Sequence, residues 1–196
     1  EAVKWYRKAA DQGFVKAQYN LGLMYDNGEG VPENDAEAVK WYRKAADQGF
    51  VKAQLNLGAM YDNGEGVSEN YAEAVKWFRK AAEQGYVDAQ SNLGVMYDNG
   101  RGVPENDKTA FMWYKKAAEQ GLAVAQSNLG LMYDNGEGVP ENDIKAHVWY
   151  SMSKTNGDGS GKKNLRILKT EMTKDQIAQA QEVATKCYES SYKDCD

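Results

Sequence analysis

The sequence contains no run of about 18 consecutive apolar residues, the minimum for a helix that spans a membrane. It also has no excess of positive charge, because 24 Lys and Arg residues stand against 29 Asp and Glu, and the formal net charge is −5. Proteins that bind nucleic acid normally present a basic face, so we do not expect that function. No segment alternates apolar and polar residues with a period of two, and we therefore expect no β-sheet.

Histidine and cysteine are scarce. No cluster of His, Cys and Asp has the spacing of a zinc site, so we predict no metal and no cofactor. The single histidine, His147, replaces a valine of other copies of a repeated segment, and we expect it on the surface or at an interface of a helix.

The two cysteines, Cys187 and Cys195, are eight residues apart at the end of the chain. We predict a disulfide that holds the tail against a helix, which would indicate an oxidising compartment such as the periplasm, the cell surface or the exterior. The alternative is a pair of free thiols in a cytosolic protein. The chain begins without Met and without a leader, and we interpret residue 1 as a processed or cloned boundary.

What the sequence has in abundance is internal repetition with a step of 36 residues. "EAVKWYRKAADQG" begins at Glu1 and again at Glu37, and "VKAQYNLGLMYDNGEGV" at Val15 has counterparts at Val51, Val87 and Ala123. All five tryptophans fall on one position of the repeat: Trp5, Trp41, Trp77, Trp113 and Trp149. Because this position is in register with neighbouring apolar residues of the helix, we predict that the tryptophans lie in the core.

Each unit predicts two helices, at about residues 15–27 and 36–47. The first has an apolar stripe at Ala17, Leu21, Met24 and Tyr25, with the spacing of three and four that is typical of a helix. Gly22 interrupts this helix, and we predict that it allows another helix to approach closely.

The motif A-x-A-Q-x-N-L-G-x-M-Y-x-N-G-x-G-V, followed by A-x-x-W-Y-x-K-A-A-x-x-G, resembles the Sel1-like repeat family, which is related to tetratricopeptide repeats. The resemblance covers about residues 1–157. It implies an all-α, right-handed α/α superhelical solenoid of 36-residue helix–turn–helix repeats, with the first helices on the concave surface. Members of the family are usually adaptors that assemble protein complexes, and bacterial members are often secreted or periplasmic.

On this basis we divide the chain into three parts. Residues 1–14 form the second helix of a truncated repeat. Four repeats follow at 15–50, 51–86, 87–122 and 123–158. Residues 159–196 form a C-terminal helical cap, in which Thr173 and Gln176 make a capping box for a helix over 174–189. Its predicted apolar stripe is Ile177, Ala180, Ala184 and Tyr188, with Cys187 at the edge of the stripe. We expect further repeats before residue 1 and self-association through the uncovered N-terminal end.

The repeated stretch "YDNGEGVPEND", first seen at Tyr25, is a candidate loop for a cation or a phosphate. A calcium loop starting at Asp26 would have Gly28 and Gly30 at its third and fifth positions, where ligands are needed, and Glu29 would repel phosphate. We predict instead a bend between two helices, with Asn34 capping the second one. Only the replacement of this glutamate by Arg101 in one copy hints that the edge of the loop contacts something.

Positions of the first helix that differ among the copies follow a spacing of i, i+3 and i+7, so they share one helical face. Some are apolar, and exposed apolar surface usually marks an interaction site, although exposed positions can also simply drift. We predict that this face, concave by the resemblance, binds a peptide or protein through Lys16, Tyr19, Asn20, Leu23, Lys52, Leu55, Asn56, Asn92, Val95, Asn128 and Leu131.

Two other functions are alternatives to this one. A secreted or periplasmic factor that engages a host or envelope protein would use the same surface. A β-lactamase-type hydrolase is suggested by "SMSK" at Ser151 to Lys154, which matches S-x-x-K. Neither S-D-N nor K-T-G follows, and equivalent positions of other units read "YRKA" and "YKKA". We therefore predict a non-enzymatic scaffold.

Overall fold

The computed structural model describes residues 2–195, and this part of the chain forms eleven α-helices and no strand. The helices are α1 (Ala2–Asp11), α2 (Val15–Asp26), α3 (Asp35–Asp47), α4 (Val51–Asn63), α5 (Tyr71–Glu83), α6 (Val87–Asp98), α7 (Asp107–Ala118), α8 (Ala123–Asn135), α9 (Asp143–Thr155), α10 (Gly159–Leu168) and α11 (Lys174–Glu189). The predicted all-α repeat fold is confirmed, and the predicted helix ends at 15–27 and 36–47 are correct to within one residue.

The chain divides into two compact units. The first contains residues 2–89 with 101–103, and the second contains 90–100 with 104–195. In the first unit, each helix from α1 to α4 packs on the helix that follows it. In the second unit, α7 packs on α8 and α8 on α9, and both α10 and α11 pack on α9.

The second helices begin at asparagine caps, as predicted. The side chain of Asn34 accepts a hydrogen bond from the backbone N–H of Glu37, at 3.0 Å. The same bond recurs at the other copies, with Asn70, Asn106 and Asn142 as the acceptors. The cap satisfies one of the backbone N–H groups that the first turn of a helix leaves without a partner.

The glycine inside the first helix permits the close helix contact that the sequence predicts. A Cβ atom placed on Gly22 would lie 2.6 Å from Cδ1 and Cε1 of the Tyr42 ring. Such distances are sterically forbidden, so only glycine allows the α3 tyrosine to lie flat against α2. The equivalent contacts are Gly58 with Phe78 in the first unit, and Gly94 with Tyr114 and Gly130 with Tyr150 in the second.

The assignment of all five tryptophans to the core is wrong for one of them. Trp41, Trp77 and Trp149 are buried and Trp113 is half-buried, but Trp5 is 69% exposed. The reason is local: the extensive packing of α1 in the described chain is with α2 alone, and no other described helix covers the indole.

After the repeats, α10 and α11 form the helical segment predicted for the C-terminal end. Thr173 and Gln176 make the predicted capping box, with both of its reciprocal hydrogen bonds present. The predicted apolar stripe of α11 is wrong at its end, because Tyr188 is 55% exposed and Cys187 is buried instead. None of the helices in the described part of the chain is long and apolar enough to cross a membrane.

Candidate functional site

The first-helix face is the surface formed by the eleven residues predicted to bind a partner. In the first unit, Lys16 and Lys52 are exposed, whereas Tyr19, Asn20, Leu23, Leu55 and Asn56 are half-buried. In the second unit, Asn92, Val95 and Asn128 are half-buried and Leu131 is 40% exposed. The expectation of exposed apolar surface is therefore only partly met, since Leu131 is exposed but Leu23, Leu55 and Val95 are half-buried. Ser91 and Ser127, the counterparts of Tyr19, are buried.

Tyr19 of α2 contacts residues of the neighbouring helices α3 and α4 and of the turn between them in the first unit. Its ring centroid lies 5.0 Å from that of Phe50 and 5.8 Å from that of Tyr42. Burial raises the pKa of Tyr19, and a hydrogen bond with Asn56 partly opposes this rise. Tyr19 therefore supports the packing of its own unit as well as lying on the predicted binding face.

Below this face lies a repeated polar contact that the sequence analysis did not predict. The Tyr42 hydroxyl donates to Oδ2 of Asp26 at 2.9 Å, and the Tyr150 hydroxyl donates to Oδ2 of Asp134 at 3.0 Å. The hydroxyl of Tyr114 makes the corresponding bond to Asp98 at 3.3 Å. Burial is the main cause that raises the pKa of all three tyrosines, so each hydroxyl remains a donor at neutral pH.

The repeated asparagines take part in the same contacts. Asn56 hydrogen-bonds with Tyr42, and Asn128 hydrogen-bonds with Tyr114. These amides are therefore partly committed to the protein itself, yet an amide has two donors and one acceptor oxygen and retains capacity for a partner. The sequence does contain a signal for the Tyr–Asp contact. An aspartate and a tyrosine recur together in these repeats, always 16 residues apart.

The first-helix face is polar, and its own charged residues are the exposed Lys16 and Lys52. Asp26, Asp98 and Asp134 are half-buried beside it, and burial raises the pKa of Asp98 while the bond from Tyr114 opposes that rise. Half-buried carboxylates next to amides and apolar side chains favour a ligand with basic groups and a backbone to which amides can bond.

A second repeated network explains the glutamine of the A-x-A-Q motif. Gln18 donates to the carbonyl of Ala10 at 3.1 Å, and Gln48 donates to the side-chain oxygen of Gln18 at 2.7 Å. In the second unit, Asn156 takes the corresponding role towards Gln126 at 2.9 Å and also contacts the hydroxyl of Tyr192. The glutamines of the motif, Gln18 and Gln126, are buried, so their role is to satisfy backbone carbonyls between helices rather than to bind a ligand.

The "YDNGEGVPEND" stretch is the bend that the sequence predicts. Gly28 and Gly30 have φ values of 68° and 72°, and the N–H of Asn34 bonds to the carbonyl of Tyr25 at 2.8 Å. In the next copy, a Cβ atom on Gly66 would lie 2.3 Å from the carbonyl carbon of Asp35, so this bend packs against the start of α3. Among residues 2–195, no group of three or more His, Cys, Asp or Glu side chains is placed to hold a metal ion.

His147 lies at an interface and not at the surface. It is 1% exposed on α9, the helix on which both α10 and α11 pack. Burial, assisted by the positive charge of Lys169, lowers its pKa to about 4, so the imidazole is neutral. Its Nδ1 lies 3.4 Å from the hydroxyl of Ser151, the first residue of "SMSK".

Cys187 and Cys195 form the predicted disulfide, with their Cα atoms 4.4 Å apart. The segment between them turns back towards α9, and Tyr192 exchanges hydrogen bonds with Asn156 at 3.0 and 3.1 Å. The disulfide therefore holds a contact between the tail and the repeat that ends with α9.

The repeated helix pairs with these bends and glutamine contacts define a helical repeat protein. The Sel1 repeat model matches residues 1–14, 15–50, 51–86, 87–122 and 123–158, and the chain therefore belongs to the Sel1 repeat family. Such repeats generally mediate protein interactions, and the family is typically non-enzymatic. No curated protein matches the chain.

Three bacterial proteins of known structure are similar to the chain. The chain is similar to c5321 of uropathogenic Escherichia coli, described as a protective antigen with an SLR fold, at 41% identity and a TM-score of 0.88 over 97% of this chain and 41% of that one. It is also similar to a Sel1 repeat protein of Oxalobacter formigenes, at 44% identity and a TM-score of 0.77 over 80% of this chain and 65% of that one. A putative Sel1 repeat protein of Klebsiella pneumoniae shares 26% identity with a TM-score of 0.54, over 86% of this chain and 84% of that one. The chain thus spans less than two thirds of the first two relatives.

Proposed function

We propose that this chain is a non-enzymatic interaction scaffold that binds a peptide or protein on the first-helix face. The observation that carries the proposal is that the first-helix positions that vary among otherwise near-identical repeats fall on one face. Near-identity elsewhere reflects packing, as the Gly22–Tyr42 contact illustrates. Among the varying positions, Lys16, Lys52 and Leu131 are exposed and therefore accessible to a partner.

The chemistry of the face supports a partner with basic and apolar side chains. The half-buried Asp26, Asp98 and Asp134 supply negative charge, and Leu131 supplies exposed apolar surface. Asn20 and Asn92 supply amides beside these groups. An extended segment with exposed backbone groups and a few Lys or Arg residues matches this combination.

The test combines affinity capture with a matched pair of variants. Leu131→Ser removes an apolar side chain that is 40% exposed from the first-helix face, whereas Met112→Ser removes one that is 54% exposed from α7, a second helix. A partner captured by the wild-type chain should bind the Leu131 variant at least about ten-fold more weakly, equivalent to about 1.4 kcal/mol. The Met112 variant should bind normally. Equal binding by all three proteins would overturn the proposal.

We also propose an extracytoplasmic location, because structural disulfides such as that between Cys187 and Cys195 form and persist mainly in oxidising compartments. In such a location the partner would be a host or envelope protein. The description of the similar E. coli protein as a protective antigen supports this form of the proposal. Mass spectrometry after alkylation without reductant, on protein from its native source, should show no alkylated cysteine. Two alkylated thiols would contradict the location.

Self-association is proposed at the N-terminal surface of the first unit. Trp5, Tyr6 and Phe14 line an open groove of about 530 Å³ there, and all three are exposed. In the next copy, the counterpart of Tyr6 is Tyr42, which α2 covers, so this surface is of a kind that the fold normally buries. Light scattering should show a mass that rises with concentration for the wild-type chain but not for a Trp5→Ser, Phe14→Ser variant.

A further inference from the structure

A strongly basic region of the second unit lies on α10 and at the end of α9. An open groove of about 300 Å³ is lined by Lys154, Lys162, Leu165, Arg166 and Lys169. A smaller groove of about 190 Å³ adjoins it and is lined by Gly159, Lys162, Lys163 and Arg166. We call the five cations around these two grooves the α10 cation cluster: Lys154, Lys162, Lys163, Arg166 and Lys169.

The charge of the cluster is not neutralised within the described residues. None of its five side chains forms an ion pair or donates a side-chain hydrogen bond in residues 2–195. The only acidic residue between positions 154 and 169 is Asp158. Its carboxylate already accepts from the N–H of Gly161 at 2.8 Å and from the hydroxyl of Ser153 at 2.9 Å.

The spacing of the cations along α10 is regular. Lys162, Arg166 and Lys169 stand at i, i+4 and i+7, so they share one face of the helix, with Lys154 across the groove. At a rise of 1.5 Å per residue, the successive steps are about 6 Å and about 4.5 Å along the axis. In an extended peptide, alternate side chains point the same way and repeat at about 6.6–6.8 Å. Flexible lysine stems can accommodate the difference.

We propose that the α10 cation cluster is a second interaction surface, which binds an acidic protein segment in extended conformation with carboxylates at alternate positions. Arg166 lies at the centre of the stripe, where its planar guanidinium can hold one carboxylate through two parallel hydrogen bonds. The lysines on either side contribute point charges to the neighbouring carboxylates. The site lies on α9 and α10 and uses none of the eleven residues of the first-helix face, so it does not depend on the function proposed for that face.

A peptide is favoured over a membrane or a nucleic acid by the shape and charge of the chain. The cations surround a groove rather than a flat surface, and the chain as a whole carries a net charge of −5. That overall charge repels an extended anionic surface. A short peptide inside the groove senses mainly the charges within about 10 Å, the screening length near 0.1 M salt.

The experiment measures binding of a labelled peptide, Glu-Ser-Glu-Ser-Glu-Ser-Glu, by fluorescence anisotropy. The same peptide with Gln in place of Glu serves as the uncharged probe. We expect the wild-type chain to bind only the acidic peptide, and to bind it more weakly as salt increases. A Lys162→Glu, Arg166→Glu variant should lose at least about ten-fold in affinity, because two attractive contacts become repulsive.

The control variant is Lys4→Glu, Lys108→Glu, which makes the same change in net charge at two exposed lysines elsewhere. It should bind like the wild-type chain, and circular dichroism should show all three proteins equally helical. Three outcomes would overturn the proposal: no binding of the acidic peptide, equal losses in both variants, or binding of phosphatidylglycerol vesicles through Lys162 and Arg166 without any binding of the peptide.

Discussion

Arg101 forms an ion pair with Asp62, with its Nη2 atom 2.9 Å from Oδ1 of the carboxylate, and its guanidinium carbon lies 4.4 Å from the centre of the Tyr71 ring. In the other copies, glutamate stands in place of Arg101 and aspartate in place of Tyr71. A third residue also differs from the other copies: Phe78 stands in place of a tyrosine. It lacks the hydroxyl through which Tyr42 donates a hydrogen bond to Asp26. The arginine therefore supplies Asp62 with the partner that the phenylalanine cannot provide, and the contact hinted at by Arg101 is internal.

Replacing Arg101 by glutamate, the residue of the other copies, should destabilise the chain. Burial raises the pKa of Asp62 and the Arg101 charge opposes this rise, so removal of the cation leaves a half-buried carboxylate beside a new negative charge. We expect the free energy of unfolding to fall by about 1–2 kcal/mol.

Urea unfolding would measure this loss, and a second substitution makes the test specific. Phe78→Tyr should recover part of the loss in the Arg101→Glu background, because its hydroxyl can donate to Asp62 as Tyr42 does to Asp26. In the wild-type background the same substitution should have a smaller effect. Equal effects of Phe78→Tyr in both backgrounds would mean that the two residues do not compensate for each other.

Tryptophans at the same repeat position should differ greatly in their contribution to stability. Trp77 is 3% exposed and Trp5 is 69% exposed. Trp77→Ala should cost about 3–5 kcal/mol in free energy of unfolding, because it leaves a large cavity. Trp5→Ala should change it by less than about 0.5 kcal/mol, as surface substitutions do. Denaturant unfolding at low protein concentration would compare them, and similar costs would contradict the exposure of Trp5.

The glycine inside the first helix should resist substitution by alanine, although alanine is the better helix former. At Gly22 the added methyl group would meet the Tyr42 ring at 2.6 Å, whereas at Gly159 it would meet nothing within 4 Å. Overpacking costs about 1–3 kcal/mol, against about 1 kcal/mol gained from helix propensity. Thermal unfolding should therefore show a lower melting temperature for Gly22→Ala and none of this loss for Gly159→Ala.

Mild acid should destabilise the second unit through His147. The pKa of this imidazole is lowered from 6.5 to about 4 in the folded chain, mainly by burial and also by Lys169. Between these two values the unfolded chain binds a proton that the folded chain does not, so stability is retained above pH 6.5 and is lost as the pH falls towards 4. The full loss is about 3.4 kcal/mol, because each unit of difference between the two pKa values is worth about 1.36 kcal/mol.

The measurement is denaturant unfolding at several pH values between 7 and 4. His147→Val, which restores the residue found at Val39 and Val75, provides the control. The variant should lose less stability than the wild-type chain over this range, and the difference should be confined to pH values below about 6.5. Parallel pH profiles for the two proteins would show that His147 does not determine this loss.

Local features were predictable from sequence because they depend on short segments of chain. The 36-residue repeat, the Asn34 cap, the glycines of the bend and the glycine facing Tyr42 all follow from helix geometry and from the conformational freedom of glycine. The varying positions of the first helix could be grouped on one face for the same reason, although the partner that they bind stays a prediction.

Several properties were decided only by tertiary structure, because they depend on what lies opposite a residue. The repeat register made Trp5 and Trp77 equivalent, yet a covering helix is present for only one of them. Likewise, Cys187 and not Tyr188 turns inward on α11, and His147 is buried where α10 and α11 cover α9. Sequence thus determined the helices and their order, whereas the neighbours of each exceptional residue, such as Asp62 for Arg101, were set by packing between segments distant in sequence.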